Sequence, residues 1–305
     1  MKLSRKVIDI LCVVLTLAGM GAASLRFSPA AEAISYKLTG QAPNCSLASL
    51  LRMKEDNLGH ERLAQQFKAA SHVVLTDGDI QLWDTPRGRY WISKRDADLI
   101  SFLLAEQERR IYGSGRTGVR KGDVVLDCGA HVGVFSKEAL REGAGKVIAI
   151  EPSPVNLECL RRNLAEEIAA GRAVVYPKGV WDNETALSFR VSSGNSGHDM
   201  VVLEGEEADL KIPVTTIDRL VAELGLERVD FIKMDIEGAE RHALVGAKRT
   251  IARFRPRMAL STYHLPDDPL KIPEHVRSAR KDYNIECGPC GLDKGVFTPE
   301  TYLFW

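Results

Sequence analysis

The sequence predicts an α/β fold in which a parallel sheet is covered on both faces by helices. From Lys121 onward, short apolar runs alternate with stretches of helical periodicity. These runs are uniformly apolar rather than alternating, as strands buried on both faces require. Several end in an acidic residue, at the edge where open parallel sheets bind ligands. There is no internal repeat.

The elements follow in chain order. Lys2, Arg5 and Lys6 precede an apolar stretch, Val7 to Leu25, whose 19 residues would span about 28 Å as a helix. Two readings remain open for residues 1–33: a membrane anchor, or a signal segment cleaved near Ala31-Glu32-Ala33. Residues 34–112 form a polar lead-in with a helix over Leu47 to Ala70 and a β-hairpin over Thr76 to Ile92. A second helix is expected over Asp96 to Tyr112. Residues 113–305 form the α/β domain. Its strands are Val124 to Leu126, Lys146 to Ile150, Ala173 to Tyr176, Val229 to Met234, Met258 to Thr262, Tyr283 to Glu286 and Thr301 to Trp305. Helices are expected over Val132 to Glu142, Pro154 to Ala170, Ile217 to Leu224, Glu240 to Phe254 and Pro273 to Asp282. An insertion from Ala186 to Val214 carries short β-like pieces and a Gly/Ser-rich loop, Ser192 to Gly197.

Composition narrows the function classes. The 305 residues are 45% hydrophobic and 27% charged, which excludes disorder and fibrous repeats. Forty-one basic residues balance 41 acidic ones, and no basic tract points to nucleic acid. The neutral balance also argues against a polyanionic acceptor. Six cysteines, at 12, 45, 128, 159, 287 and 290, are too sparse for a disulfide scaffold.

Chemistry concentrates at the strand tips. In Leu126-Asp127-Cys128-Gly129-Ala130-His131-Val132-Gly133 a strand ends in an acid, and a glycine turn then opens a helix. The dinucleotide pattern G-x-G-x-x-G fails at His131 and Val134, and Asp127 would repel a pyrophosphate. A cationic ligand suits the turn better, and S-adenosylmethionine carries both a sulfonium and an ammonium. Glu151, 24 residues after Asp127, ends the next strand beside Pro152, where a carboxylate accepts ribose hydroxyls. Asp235 and Glu237 follow the strand Val229 to Met234 before Gly238, and His264 follows the strand Met258 to Thr262.

The combination LDCGAHVG, IAIEPSP, LRRNL, TTID, KMDIEGAE and YHLP resembles the FkbM family of methyltransferases over about Ile92 to Trp305. The resemblance implies a class I, Rossmann-like, seven-stranded sheet of order 3-2-1-4-5-7-6 and S-adenosylmethionine as cofactor. It implies methyl transfer to a hydroxyl of a small molecule, sugar or lipid-linked glycan. By the same resemblance Asp127, Gly129, Ala130 and Gly133 line the methionine end, and Glu151 and Pro152 hold the ribose. Val180 and Asp182 approach the adenine, and Glu108 and Tyr112 of an E-x-x-x-Y helix close the pocket.

Methyl transfer asks the protein for alignment and for removal of the acceptor's proton. His264 or Asp235 is the expected general base. A variant of this reading gathers a divalent metal on Asp235, Glu237 and His264. Cys287-Gly288-Pro289-Cys290 admits a structural disulfide or turn, a redox pair or a metal pair. A thiol–disulfide oxidoreductase and a non-catalytic cofactor-fold binding module are therefore the alternatives. The basic N-terminus favours export of the domain across a membrane, whereas S-adenosylmethionine is cytosolic, so the facing side stays open, as does the oligomeric state.

Overall fold

A computed structural model describes residues 28–191, 200–201, 208–293 and 296–305. The apolar stretch Val7 to Leu25 and the Gly/Ser-rich loop Ser192 to Gly197 lie outside them. Among the described residues no helix is long and apolar enough to cross a membrane.

Helix α1 (Pro29–Leu38) begins on Ser28, whose hydroxyl accepts the Ala31 N–H at 3.1 Å, with Pro29 in the first turn. Helix α2 (Leu47–Ala70) is capped in the same way by Ser46. Three strands follow, β1 (His72–Asp77), β2 (Ile80–Thr85) and β3 (Gly88–Ser93), paired antiparallel in that order. The expected hairpin is thus a three-stranded sheet, because Asp77-Gly78 and Pro86-Arg87-Gly88 are two successive turns. Helix α3 (Leu99–Glu108) is shorter than its periodicity, for Arg110 takes a left-handed φ of 54° just beyond it.

The α/β unit then runs β4 (Val124–Cys128), α4 (Val134–Arg141), β5 (Lys146–Ile150), α5 (Pro154–Asn163), α6 (Ala165–Ala169) and β6 (Ala173–Tyr176). The insertion is β7 (Gly179–Val180), β8 (Thr185–Arg190), β9 (Met200–Val201) and β10 (Leu210–Thr215), a separate sheet of order β7-β10-β8-β9. Next come α7 (Ile217–Glu223), β11 (Phe231–Met234), α8 (Glu240–Val245), α9 (Lys248–Phe254) and β12 (Arg257–Ser261). The expected single helix from Glu240 to Phe254 is split at Gly246, where a Cβ would stand 2.1 Å from the Trp181 carbonyl oxygen. Helix α10 (Asp268–Ala279) starts earlier than expected, with Pro269 in its first turn and Pro273 inside it. Four strands end the chain: β13 (Ile285–Cys287), β14 (Cys290–Asp293), β15 (Val296–Pro299) and β16 (Thr301–Phe304).

The main sheet has the order β6-β5-β4-β11-β12-β16-β13. Its five strands from β6 to β12 are parallel, and β16 runs antiparallel to both neighbours, so the sheet is mixed rather than wholly parallel. Numbered within this sheet alone, the order reads 3-2-1-4-5-7-6. Numbering over every strand differs because the strands of three smaller sheets are interleaved along the chain. Side chains of one strand alternate between two cores: Leu126, Ile148 and Met234 on one face, Val125, Val147 and Phe231 on the other.

The lead-in is packed onto this domain. Phe67, Tyr90, Ile92 and Leu104 share a buried cluster with Val132 and Cys159. Asn163 stitches the same seam, accepting the Trp91 N–H at 2.6 Å and donating to the carbonyls of Trp91 and Val132 at 2.8 Å. A disulfide joins Cys45 to Cys290, with Cα atoms 6.2 Å apart, while Cys287 is a free thiol. The two cysteines of the C-x-x-C sequence are therefore not a pair. Cys287 ends β13 and donates toward the Asn44 carbonyl at 3.6 Å, whereas Cys290 opens β14 inside a cluster with Ala33, Ala42 and Leu50. This removes the dithiol that an oxidoreductase would use. Cys290→Ser is expected to lower stability by about 2–4 kcal/mol in urea unfolding, and Cys287→Ser by less than about 1. Equal effects from the two substitutions would contradict the Cys45–Cys290 bond.

Candidate active site

A cavity of about 200 Å³ lies over the carboxyl ends of β4, β5 and β11. Helix α3 and the insertion sheet wall it from above, through Leu103 and Glu106 on one and Phe189 and Ile212 on the other.

At one end the β4–α4 turn supplies Gly129 and Ala130. Gly129 has φ of 77°, and a Cβ there would fall 1.9 Å from the Asp235 carbonyl oxygen, so only glycine fits. Glu151, at the tip of β5, is 6% exposed and accepts the N–H groups of His131 at 2.9 Å and Ser153 at 2.8 Å. It braces the turn while presenting a carboxylate to the cavity. Pro152 and Val180 give this end an apolar wall. Asn156, in the first turn of α5, is 2% exposed, and its amide oxygen has no hydrogen-bond partner although it reaches the cavity wall. A buried acceptor left open in a cavity is a place for a ligand donor.

Beneath the turn lies a buried ion pair. Asp127 is fully buried; it accepts a 2.6 Å hydrogen bond from Ser136 and stands 3.4 Å from Lys233 Nζ. Lys233 also donates to the Gly129 carbonyl at 2.7 Å. Burial opposes the charged lysine, but Asp127 and Asp235 outweigh it and raise its pKa above the usual value.

The other end is acidic. Asp235 follows β11 and accepts the Tyr112 hydroxyl at 2.8 Å. Burial would raise its carboxyl, but Lys233 and His264 outweigh that and hold it below the usual range. Glu237 takes a left-handed φ of 53° one residue before Gly238, which turns its carboxylate into the same wall. His264, just after β12, donates from Nδ1 to Glu240 at 2.9 Å, and its Nε2 stands 3.5 Å from both Asp235 and Glu237. Burial works against a charged imidazole here; Glu240, Glu237 and Asp235 prevail and hold its pKa well above the ordinary histidine value. Burial, with Asp235 and Glu300 nearby, keeps the Glu106 carboxyl well above its usual range.

The structure thus brings Gly129, Ala130, Glu151, Pro152, Val180, Tyr112 and Asp235 to one cavity. His264 stands directly behind Asp235 and Glu237 rather than in the wall. Asp127 lies beneath the wall, with Lys233 reaching it instead. Gly133 packs against α5, where a Cβ would meet Leu160 Cδ1 at 2.7 Å. Glu108 points outward to Arg87 at 3.5 Å, about 200° around the helix from Glu106 and about 100° from Gln107. Asp182 pairs with His242 at 2.6 Å, beside the stacked Trp181, away from the cavity. Asn156, Lys233, Glu106 and Glu240 are the residues that sequence reasoning missed. A lone lysine inside an apolar strand was a readable signal; the others had none.

An acid-tipped mixed sheet of this order, with a glycine turn and a carboxylate facing an acidic pocket across one cavity, is a methyltransferase-like α/β architecture. The methyltransferase FkbM domain pattern matches residues 127–284, and the chain belongs to the FkbM methyltransferase family. It is 30% identical over 170 residues to the 31-O-demethyl-FK506 methyltransferase FkbM of Streptomyces tacrolimicus, covering 46% of this chain and 65% of that protein. It is 23% identical over 149 residues to the 2-O-methyltransferase NoeI of Sinorhizobium fredii, covering 43% of this chain and 60% of that one. Among solved structures, methyltransferase FkbM of Methylobacillus flagellatus is similar, with a TM-score of 0.49 and 22% identity over 85% of this chain and 60% of that one. The chain spans less than two thirds of the length of each of these relatives.

Proposed function

We propose that the protein is an S-adenosylmethionine-dependent O-methyltransferase acting on a hydroxyl of a small molecule, sugar or lipid-linked glycan. The observation that carries this is the pairing, in one cavity, of a glycine turn and Glu151 at one end with Asp235 and Glu237 at the other. The residues fit the cofactor: Glu151 and the open amide oxygen of Asn156 accept donors from the nucleoside, and Pro152 and Val180 flank its base. Asp235 supplies negative charge toward a sulfonium. When bound, S-adenosylmethionine supplies an activated methyl group.

The chain's own residues then align the acceptor and take its proton. Asp235 is the group in the wall that faces the acceptor's hydroxyl, with one oxygen held by Tyr112. His264, fixed by Glu240, sets the position of Asp235 from behind. Two of the relatives carry names that put the methyl group on oxygen, which favours a hydroxyl acceptor here. The Cys45–Cys290 bond favours a compartment that oxidises thiols, in keeping with export, and recovery of the linked peptide from cells would check it.

Calorimetry with S-adenosylmethionine is the first test, with one site per chain expected and Glu151→Ala weakening it about tenfold or more. A protein that does not bind the cofactor is not this enzyme. Once a panel of sugar, lipid and small-molecule hydroxyls yields an acceptor, His264→Asn is expected to lower turnover about 10²–10⁴-fold with cofactor affinity within twofold. Full turnover in that variant would remove His264 from the mechanism.

A further inference from the structure

We propose that Asp235, Glu237 and His264 form a binding site for one divalent cation at the acceptor end of the cavity. Its catalytic use rests on the methyltransferase reading; the binding itself does not.

The geometry is that of a ligand set. One donor atom from each residue lies within 4.8 Å of the others. His264 Nε2 is 3.5 Å from an oxygen of Asp235 and 3.5 Å from an oxygen of Glu237. Neighbouring ligands on one ion at about 2.1 Å stand roughly 3.0–3.4 Å apart, so small side-chain shifts close the set. At 3.5 Å neither contact has the length of a charge-assisted hydrogen bond.

An independent observation is the state of the histidine. Its side chain is 7% exposed, and Nε2 is buried with no hydrogen-bond partner. Its other nitrogen is fixed by the fully buried Glu240, which also accepts the Ile236 N–H at 2.8 Å. This carboxylate–histidine arrangement is the one that orients a metal-binding imidazole, with the free nitrogen aimed at the ion. Asp235 repeats the pattern: one oxygen takes the Tyr112 hydroxyl, and the other is buried without a partner. Each of the two groups is held on one side and open toward the same point.

Charge agrees. Asp127 has Lys233 as its partner, so three carboxylates, Asp235, Glu237 and Glu240, surround a single imidazole. Two oxygens and one imidazole nitrogen suit a mid-series ion such as Mn²⁺ better than Mg²⁺ or Ca²⁺, which prefer all-oxygen shells. Asp235 and Glu237 both face the cavity, so the remaining coordination positions open toward the acceptor. A hydroxyl bound there would be oriented and made more acidic.

The test is titration of the full chain with Mn²⁺, following free ion by electron paramagnetic resonance, with S-adenosylmethionine affinity measured alongside by calorimetry. One bound ion per chain is expected, weakened about tenfold or more in Glu237→Gln and in His264→Gln, with cofactor affinity within twofold. That unchanged affinity shows that the variants fold; Glu237→Gln alone decides if the histidine variant does not. Absence of binding overturns the site, and so does equal binding by the variants, which would mean that His264 is simply an ion-pair partner of the two acids. Mn²⁺ binding without cofactor binding supports the site and overturns only its use in methyl transfer.

Discussion

Replacing Lys233 with methionine is expected to destabilise the protein by about 3–5 kcal/mol, because it strands Asp127 as an unpaired charge in the interior. The lysine is 5% exposed and the aspartate fully buried, so water cannot take over the lost contact. The carbonyl of Gly129 loses its 2.7 Å donor as well, which loosens the β4–α4 turn. Urea unfolding of Lys233→Met, Asp127→Asn and the double variant separates these effects. Asp127→Asn combined with Lys233→Met is expected to recover part of the loss seen in Lys233→Met alone, since it removes the buried charge. A single variant within about 1 kcal/mol of the parent would show that the pair is not buried as described.

Gly129→Ala carries the second large effect. The left-handed φ of 77° disfavours any side chain, and the new methyl would lie 1.9 Å from the Asp235 carbonyl oxygen. Relief requires the β4 turn and the segment after β11 to move apart, and that segment bears Asp235 and Glu237. One methyl group is therefore expected to cost about 3 kcal/mol or more and to abolish cofactor binding. Gly133→Ala is the comparison. Its clash is with the end of the Leu160 side chain, which can rotate away, leaving mainly backbone strain. Equal losses of cofactor affinity in the two variants would refute the distinction.

Much of the α/β unit was legible because its strands are buried on both faces, and burial of that kind writes itself as uninterrupted apolar residues. The tip acids were legible for a related reason: Asp127, Glu151 and Asp235 interrupt such runs at their carboxyl ends. What spacing does not record is rotation. Asp127 and Glu151 each stand within one residue of a strand's end, yet one faces the core and the other the cavity. On α3, Glu108 matched a pattern while Glu106, two residues away, holds the cavity position. Long-range pairings left no local trace either. Cys45 and Cys290 are 245 residues apart, and the nearby Cys287 offered a more obvious partner. The glycine at the break between α8 and α9 is required by the Trp181 carbonyl, which stands 65 residues earlier in the chain, just after β7.

The Cys45–Cys290 bond gives the chain the topology of a ring with two tails. Every residue that lines the cavity, from Leu99 to Tyr263, lies within the ring, as do the lead-in sheet and six of the seven strands of the main sheet. A single backbone cut anywhere in that loop leaves both pieces covalently attached. Among the described strands of the main sheet only β16, in the tail after Cys290, is held by pairing and packing alone.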